Sequence, residues 1–190
     1  QGWTFRFVML LVTIGGIFIL SSLIGVLTSG LESKLEEMRK GRSRVLEKNH
    51  TLILGWSGKI FPIISEIIIA NSNLKRASIV ILAEKDKVEM EDELNAKIPD
   101  TKTTRIICRT GSLMDVADLE VVNLDEAKSI IVMALDEPNP DIHVIKTILA
   151  ITNNPKRKLE KYHIVAEMKN QENLPAATLV GGDEATIVLS

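Results

Sequence analysis

The chain has 190 residues, a formal net charge of -2, and 45% hydrophobic but only 4% aromatic residues, enough for one ordinary domain and something smaller. A pI near 6.0 carries no electrostatic footprint for nucleic acid and excludes that partner class, while a single cysteine, Cys108, excludes an internal disulfide framework and fits a reducing compartment. The chain starts without Met and a strand pattern runs to its last residue, which reads as a piece of something longer.

In chain order, the first element is Phe7 to Thr28, a stretch of 22 residues without a charge. At ~1.5 Å of rise per residue it spans about 33 Å, enough to cross a bilayer. A signal peptide has a shorter apolar core and a small-residue cleavage site, whereas this stretch continues through Gly25 and Thr28 into a charged helix. Only Arg6 precedes it, while Lys34, Arg39, Lys40, Arg42, Arg44 and Lys48 follow, so the positive-inside rule puts the C-terminal bulk in the cytosol. Gly15-Gly16 at mid-span suits either close helix packing or a bending point. Residues 1–28 are therefore assigned to the membrane and 29–50 to a helical linker. In that linker Leu31, Leu35, Met38 and Val45 keep helical spacing and Glu36 stands four before Lys40. Gly41 is expected to weaken or end the helix.

Residues 51–190 alternate short apolar runs with amphipathic stretches. Strands are predicted at Thr51–Leu54, Ser78–Ala83, Arg105–Cys108, Ser129–Ala134, His163–Glu167 and Ala185–Leu189. Helices are predicted at Lys59–Ala70, Lys87–Ala96, Leu113–Val121, Pro140–Thr152 and Glu172–Leu179. The alternation demands a parallel sheet with right-handed crossovers. The fold class is α/β, a Rossmann-like doubly wound sheet in the order 3-2-1-4-5-6, behind one transmembrane helix. Ligands of such sheets collect outside the strand C-termini, at the switch between strands 1 and 4.

The first strand turns through Gly55-Trp56-Ser57-Gly58-Lys59-Ile60. A dinucleotide fingerprint needs glycine where Ser57 and Ile60 stand, so the backbone can approach a pyrophosphate and helix and strand can pack closely. Gly55, Ser57 and Gly58, with Glu84 at the ribose position after strand 2, form a degenerate nucleotide-type loop, and NAD is not expected. No Ser/His/Asp or Cys/His set supports a reaction, so no enzymatic activity is expected. Cys108 reads as a core thiol, and His50, His143 and His163 lack metal spacing. Ser112 and Asp115 approximate a capping box. Asn139-Pro140-Asp141 reads as a helix start, with Asn139 as cap.

Several stretches resemble a known family. "RKGRSRVLEKNHTLILGWS" (39–57), "ILAEKDKVEME" (81–91), "ICRTGS" (107–112), "ADLEVVNLDEAKSIIV" (117–132) and "LVGGD" (179–183) resemble the CASTOR/POLLUX ion channels. More distantly, the chain is similar to the RCK (TrkA-N type) domains of calcium-gated potassium channels. The resemblance implies that the membrane segment is the last, pore-lining helix and that residues 51–190 are a ligand-sensing RCK lobe, truncated at its C-terminus. It implies a homotetramer of full-length subunits conducting inorganic cations, with calcium the favoured ligand, in an integral membrane setting that is of nuclear-envelope type if this is a plant member.

In the calcium-gated relatives the carboxylates align with Met133, Glu167 and Lys169, of which only Glu167 keeps an oxygen. A shifted cation set from the strand 4 loop would add Asp136 and Asp141, beside Glu137 and Asn139; the same cluster also reads as a solvated acidic turn. Two other functions stand beside the channel: a nucleotide-binding regulatory subunit of a potassium uptake system, and a membrane-anchored NAD-dependent oxidoreductase.

Overall fold

The computed structural model describes residues 2–39 and 43–190. The predicted Glu36–Lys40 pair and the helix stop at Gly41 reach into residues 40–42, which lie outside the described residues. The chain divides into two compact units, Gln1–Met38 and Arg39–Ser190.

The first unit is α1, Trp3–Arg39. Its stretch Trp3–Leu31 is long and apolar enough to cross a membrane. Phe7, Leu10, Leu20 and Leu27 are all more than half exposed. That suits a surface solvated by lipid or by neighbouring helices, where no water demands a polar face. The helix passes through Gly15-Gly16 without interruption, and a Cβ at either would meet nothing within 4 Å.

The second unit has six strands: β1 His50–Leu54, β2 Ala77–Ala83, β3 Thr104–Thr110, β4 Ala127–Val132, β5 Ile164–Met168 and β6 Ala185–Leu189. Its helices are α2 Ile60–Ala70, α3 Lys87–Lys97, α4 Val116–Val121, α5 Pro140–Thr152 and α6 Leu174–Gly181. The sheet is parallel throughout, in the order β3-β2-β1-β4-β5-β6, as expected. Its strands read as continuous aliphatic runs because both faces are covered. Ile53, Ile79, Ile81 and Cys108 pack under α2 and α3. Leu52, Leu54, Val80, Val132 and Ile164 pack under α4, α5 and α6.

Four local expectations need correction. The helix after β3 begins at Val116 rather than Leu113, because Asp115 is its cap and accepts from Ala117 N at 2.9 Å. Ser112 does not cap; its own amide is held by Asp118 Oδ2 at 2.8 Å. Asn139 stands at the cap position of α5 but its side chain makes no cap bond. β4 begins two residues earlier than predicted, and Met133 and Ala134 follow it, with Met133 N still bonded to Leu54 O at 2.9 Å.

The linker is also less helical than its spacing suggested. Helix persists to Arg39, but Ser43–Asn49 carry no helix, and Val45 is buried to 1% exposure against the α4 side of the sheet.

Candidate functional site

The strand C-termini converge on the place where the strand order reverses. β1 leaves the sheet at Gly55, whose φ of +109° is open to glycine. A Cβ there would come within 3.2 Å of Met133 O and of Leu135 Cδ2, so β1 can turn against the end of β4 only without a side chain. Ser57, at the second fingerprint position, is buried and its hydroxyl has no partner among the described residues. Gly58 is exposed with open space about it.

Beside this turn lies a cleft of about 320 Å³, walled by Trp56, Leu113, Met114 and Leu135 and rimmed by Glu84 and Asp136. Its size is at the lower end of what small-molecule sites use. Of the nucleotide-type candidates, Glu84 lines the cleft, while Gly55 and Gly58 bound the turn beside it. Lys85 lines the cleft as well, its ammonium paired with Glu93 at 2.5 Å and 5.1 Å from the Trp56 ring. His143 pairs with Glu137 at 3.4 Å.

The three cation candidates are each engaged by the chain's own donors. Glu167, near the end of β5, receives Lys59 Nζ at 2.5 Å on one oxygen and Ala134 N at 3.2 Å on the other. Lys59 also reaches Ser190 Oγ at 3.2 Å. Burial pushes the Glu167 carboxyl up, but Lys59, Ser190 and the Ala134 amide outweigh it and hold it below the usual carboxylate range. Asp141 is buried and accepts from Lys169 N at 2.8 Å, Asn170 N at 2.9 Å and Asn173 Nδ2 at 2.9 Å. Its burial penalty is likewise overcome by those donors, and its carboxyl is held low. Asp136 faces Gly58 N at 3.4 Å and Lys169 Nζ at 3.6 Å.

Calcium needs six to eight oxygens at 2.3–2.6 Å. Among the described residues no three His, Cys, Asp or Glu side chains gather as such a cage. In this arrangement an ammonium sits on Glu167 and amide hydrogens surround Asp141, so the set as folded does not fit the ion. Cys108 is buried and its thiol is pushed up to about 12 by that burial, which leaves it protonated and a poor nucleophile.

Lys59, at the predicted start of the helix after β1, has as its partner Glu167, 108 residues further on. Lys169 entered the sequence reading only as a lost carboxylate position, and Ser190 was missed as a member of the same crevice; its signal was topological, since β4, β5 and β6 end side by side.

Residues 47–172 match the family described as the calcium-activated potassium channel slowpoke-like RCK domain. Among curated proteins, the chain is 38% identical over its whole length to the probable ion channel CASTOR of Oryza sativa subsp. japonica. It is 37% identical over 97% of its length to the ion channel CASTOR of Lotus japonicus, and 37% over 96% to the ion channel DMI1 of Medicago truncatula. It spans only 21%, 22% and 21% of these relatives. Among solved structures, the GsuK channel bound to NAD is similar with a TM-score of 0.56 at 16% identity, over 98% of this chain and 31% of that one. The human SLO3 gating ring gives 0.52 at 20% identity, over 72% of this chain and 25% of the other. At such identities the structural likeness establishes the fold alone.

Proposed function

The chain belongs to the calcium-activated potassium channel slowpoke-like RCK domain family, and from that premise we propose that it is the last pore-lining helix and the first RCK lobe of a ligand-gated cation channel. The observation that carries this reading is order along one chain: an apolar helix able to span a bilayer stands directly before the RCK match. The resemblance to the CASTOR and POLLUX channels supports it over nearly every residue.

In the finer reading, full-length subunits form a homotetramer that passes potassium or calcium, the RCK lobe is cytosolic, and calcium regulates opening. The six basic residues after the span support that orientation. A nuclear-envelope type of membrane belongs to the same reading if the chain is from a plant. In this reading the RCK lobe acts by binding rather than catalysis, and its one cysteine is buried and protonated. NAD is not proposed as its ligand. Ser57 and Ile60 stand where fingerprint glycines would be, and the Asp136 carboxylate faces the Gly58 amide where a pyrophosphate would lie. Calcium sensing, in this reading, is housed outside the Glu167–Asp141 crevice, since that crevice is satisfied internally.

The test is to record the full-length channel in planar bilayers across a calcium series. A cation-selective current whose open probability follows calcium is expected, and Glu167→Gln should keep that response. A preparation that conducts nothing overturns the channel reading. A conducting channel indifferent to calcium overturns only the choice of ligand.

A further inference from the structure

The cleft beside the β1 turn joins apolar walls to an acidic rim. Leu113 is buried, Trp56 and Leu135 are half-buried, and Met114 offers a thioether chain at the surface. Trp56 is held in place by its neighbours. Its ring meets Phe61 edge-on at 5.8 Å between centroids, and the Lys85 ammonium lies 5.1 Å from its centroid. The rim carries three exposed carboxylates, those of Glu84, Asp136 and Glu137.

An anion entering this cleft would find its donors already used. The Lys85 ammonium is paired with Glu93 at 2.5 Å, and the Thr147 hydroxyl donates to His143 O at 2.8 Å. The Gly58 amide, just before α2, faces Asp136 at 3.4 Å. Lys169 Nζ donates to Leu135 O at 3.1 Å and stands 3.6 Å from Asp136. Acceptors, by contrast, are in surplus. A carboxylate offers about four lone-pair sites. Asp136 and Glu137 are approached only at 3.4 to 3.6 Å, longer than the about 2.7–2.9 Å of a close charge-assisted bond. With Glu93, Lys85 and Lys169 counted alongside the rim, the balance of charge stays negative whether His143 is neutral or protonated. A bare metal ion is the wrong cation for such a place. Among the described residues no three acidic, histidine or cysteine side chains gather as a cage, and apolar walls supply no oxygen ligands.

We propose that the cleft binds a small organic ammonium ion, its charged head among Glu84, Asp136 and Glu137 and its apolar body against Trp56, Leu113 and Leu135. This names the ligand class for the lobe and rests on the ligand-sensing reading above. A volume of about 320 Å³ has room for a single ring on a short chain. Burial of that body supplies affinity, and the rim selects the sign of the charge. The chain's own Lys85 already places an ammonium beside Trp56, so this wall accepts the head-group chemistry.

The experiment uses the full-length protein in nanodiscs of zwitterionic lipid, with empty nanodiscs subtracted, and three probes that share one body: phenethylammonium, phenethyl alcohol and 3-phenylpropanoate. Titration calorimetry reads binding. Phenethylammonium should bind with a dissociation constant of about 1 mM or tighter, on the order of tenfold more tightly than the alcohol, and the propanoate should not bind. The double variant Glu84→Gln with Asp136→Asn should weaken the ammonium on the order of tenfold and leave the alcohol unchanged. Trp56→Leu should weaken both. Binding of the propanoate as tight as that of the ammonium overturns the choice of charge. An ammonium affinity unchanged in the double variant overturns the location. No ammonium binding at about 10 mM overturns the ligand class. Binding is read without current, so a preparation that binds the ammonium in this pattern and conducts nothing overturns the channel reading while the site stands.

Discussion

The two ends of the parallel sheet both satisfy their charges internally, but in different ways. At the N-terminal end of the strands, Arg157 makes a two-pronged contact with Glu184 at 2.8 and 2.7 Å and lies 4.9 Å from the Tyr162 ring. Glu184 also accepts the Tyr162 amide, and the Tyr162 hydroxyl bonds Asp125. Arg157 and Glu184 are 23% and 14% exposed. At the crevice end Glu167 is equally sheltered, at 15%, but its partner Lys59 is 53% exposed and Asp136 is 70% exposed. A planar fork stacked on an aromatic ring is preorganised, whereas a half-exposed lysine can exchange its partner for water or another ion at small cost. The first end is a fixed foundation and the second an adjustable one.

The largest expected effect breaks the foundation. Arg157→Ala should destabilise the domain by about 2–4 kcal/mol, since Glu184 would keep its charge with little water to solvate it. Urea unfolding of the full chain, followed by far-ultraviolet dichroism, measures this; a loss no greater than that of a crevice variant would erase the distinction between the two ends. At the crevice, Glu167→Gln should cost about 1 kcal/mol, because Ala134 N keeps an acceptor and Lys59 turns to solvent. A double-mutant cycle with Lys59→Met should give a coupling energy smaller than that of Arg157 with Glu184.

The smallest effect, a pH dependence, separates the ends by window. His50, at the start of β1, donates Nε2–H to Val122 O at 3.1 Å in its neutral form, and its Nδ1 has no partner among the described residues. Burial lowers its folded pKa against the opposing pull of Val122 O, Glu47 and Glu126. The unfolded chain therefore binds the proton more readily. The stability contributed by His50 is complete above ~6.5 and is lost as pH falls through the lowered folded value. Glu167 is also depressed, so its contribution is complete above ~4.3 and is lost only in stronger acid. Unfolding curves from pH 8 to pH 3 should show two losses, and His50→Gln should remove only the upper one. A single loss near pH 4 in the wild type would mean that His50 protonates without cost.

Much of the fold was legible in order. Pro140–Thr152 and Ala185–Leu189 were placed to the residue, because a proline start and an aliphatic run between turn residues leave little choice. The helix after β3 was misplaced by three residues, since Ser112 and Asp115 are equally good caps in isolation. Which of them caps depends on Asp118 reaching back for Ser112 N past Gly111, where a Cβ would stand 2.8 Å from Asp118 Cγ. The linker was read as helical from the spacing of Leu31, Leu35, Met38 and Val45, but Val45 gains more by entering the core than by extending a solvated helix.

Sequence alone determined the apolar helix, the α/β alternation, the strand order and the loss of two fingerprint glycines. These follow from periodicity, chain length and backbone sterics, all of which are local or set by the handedness of crossovers. What it could not determine is which charge meets which. Glu167 was legible as a carboxylate at a strand end, and Lys59 as a cation at a helix start. That they neutralise each other, that Asp141 turns inward to three donors, and that Arg109 holds Ser43 were decided only when the sheet brought distant strand ends and the segment before β1 together. Electrostatic pairing acts over a few ångströms and is blind to sequence separation, so the tertiary structure alone settles it.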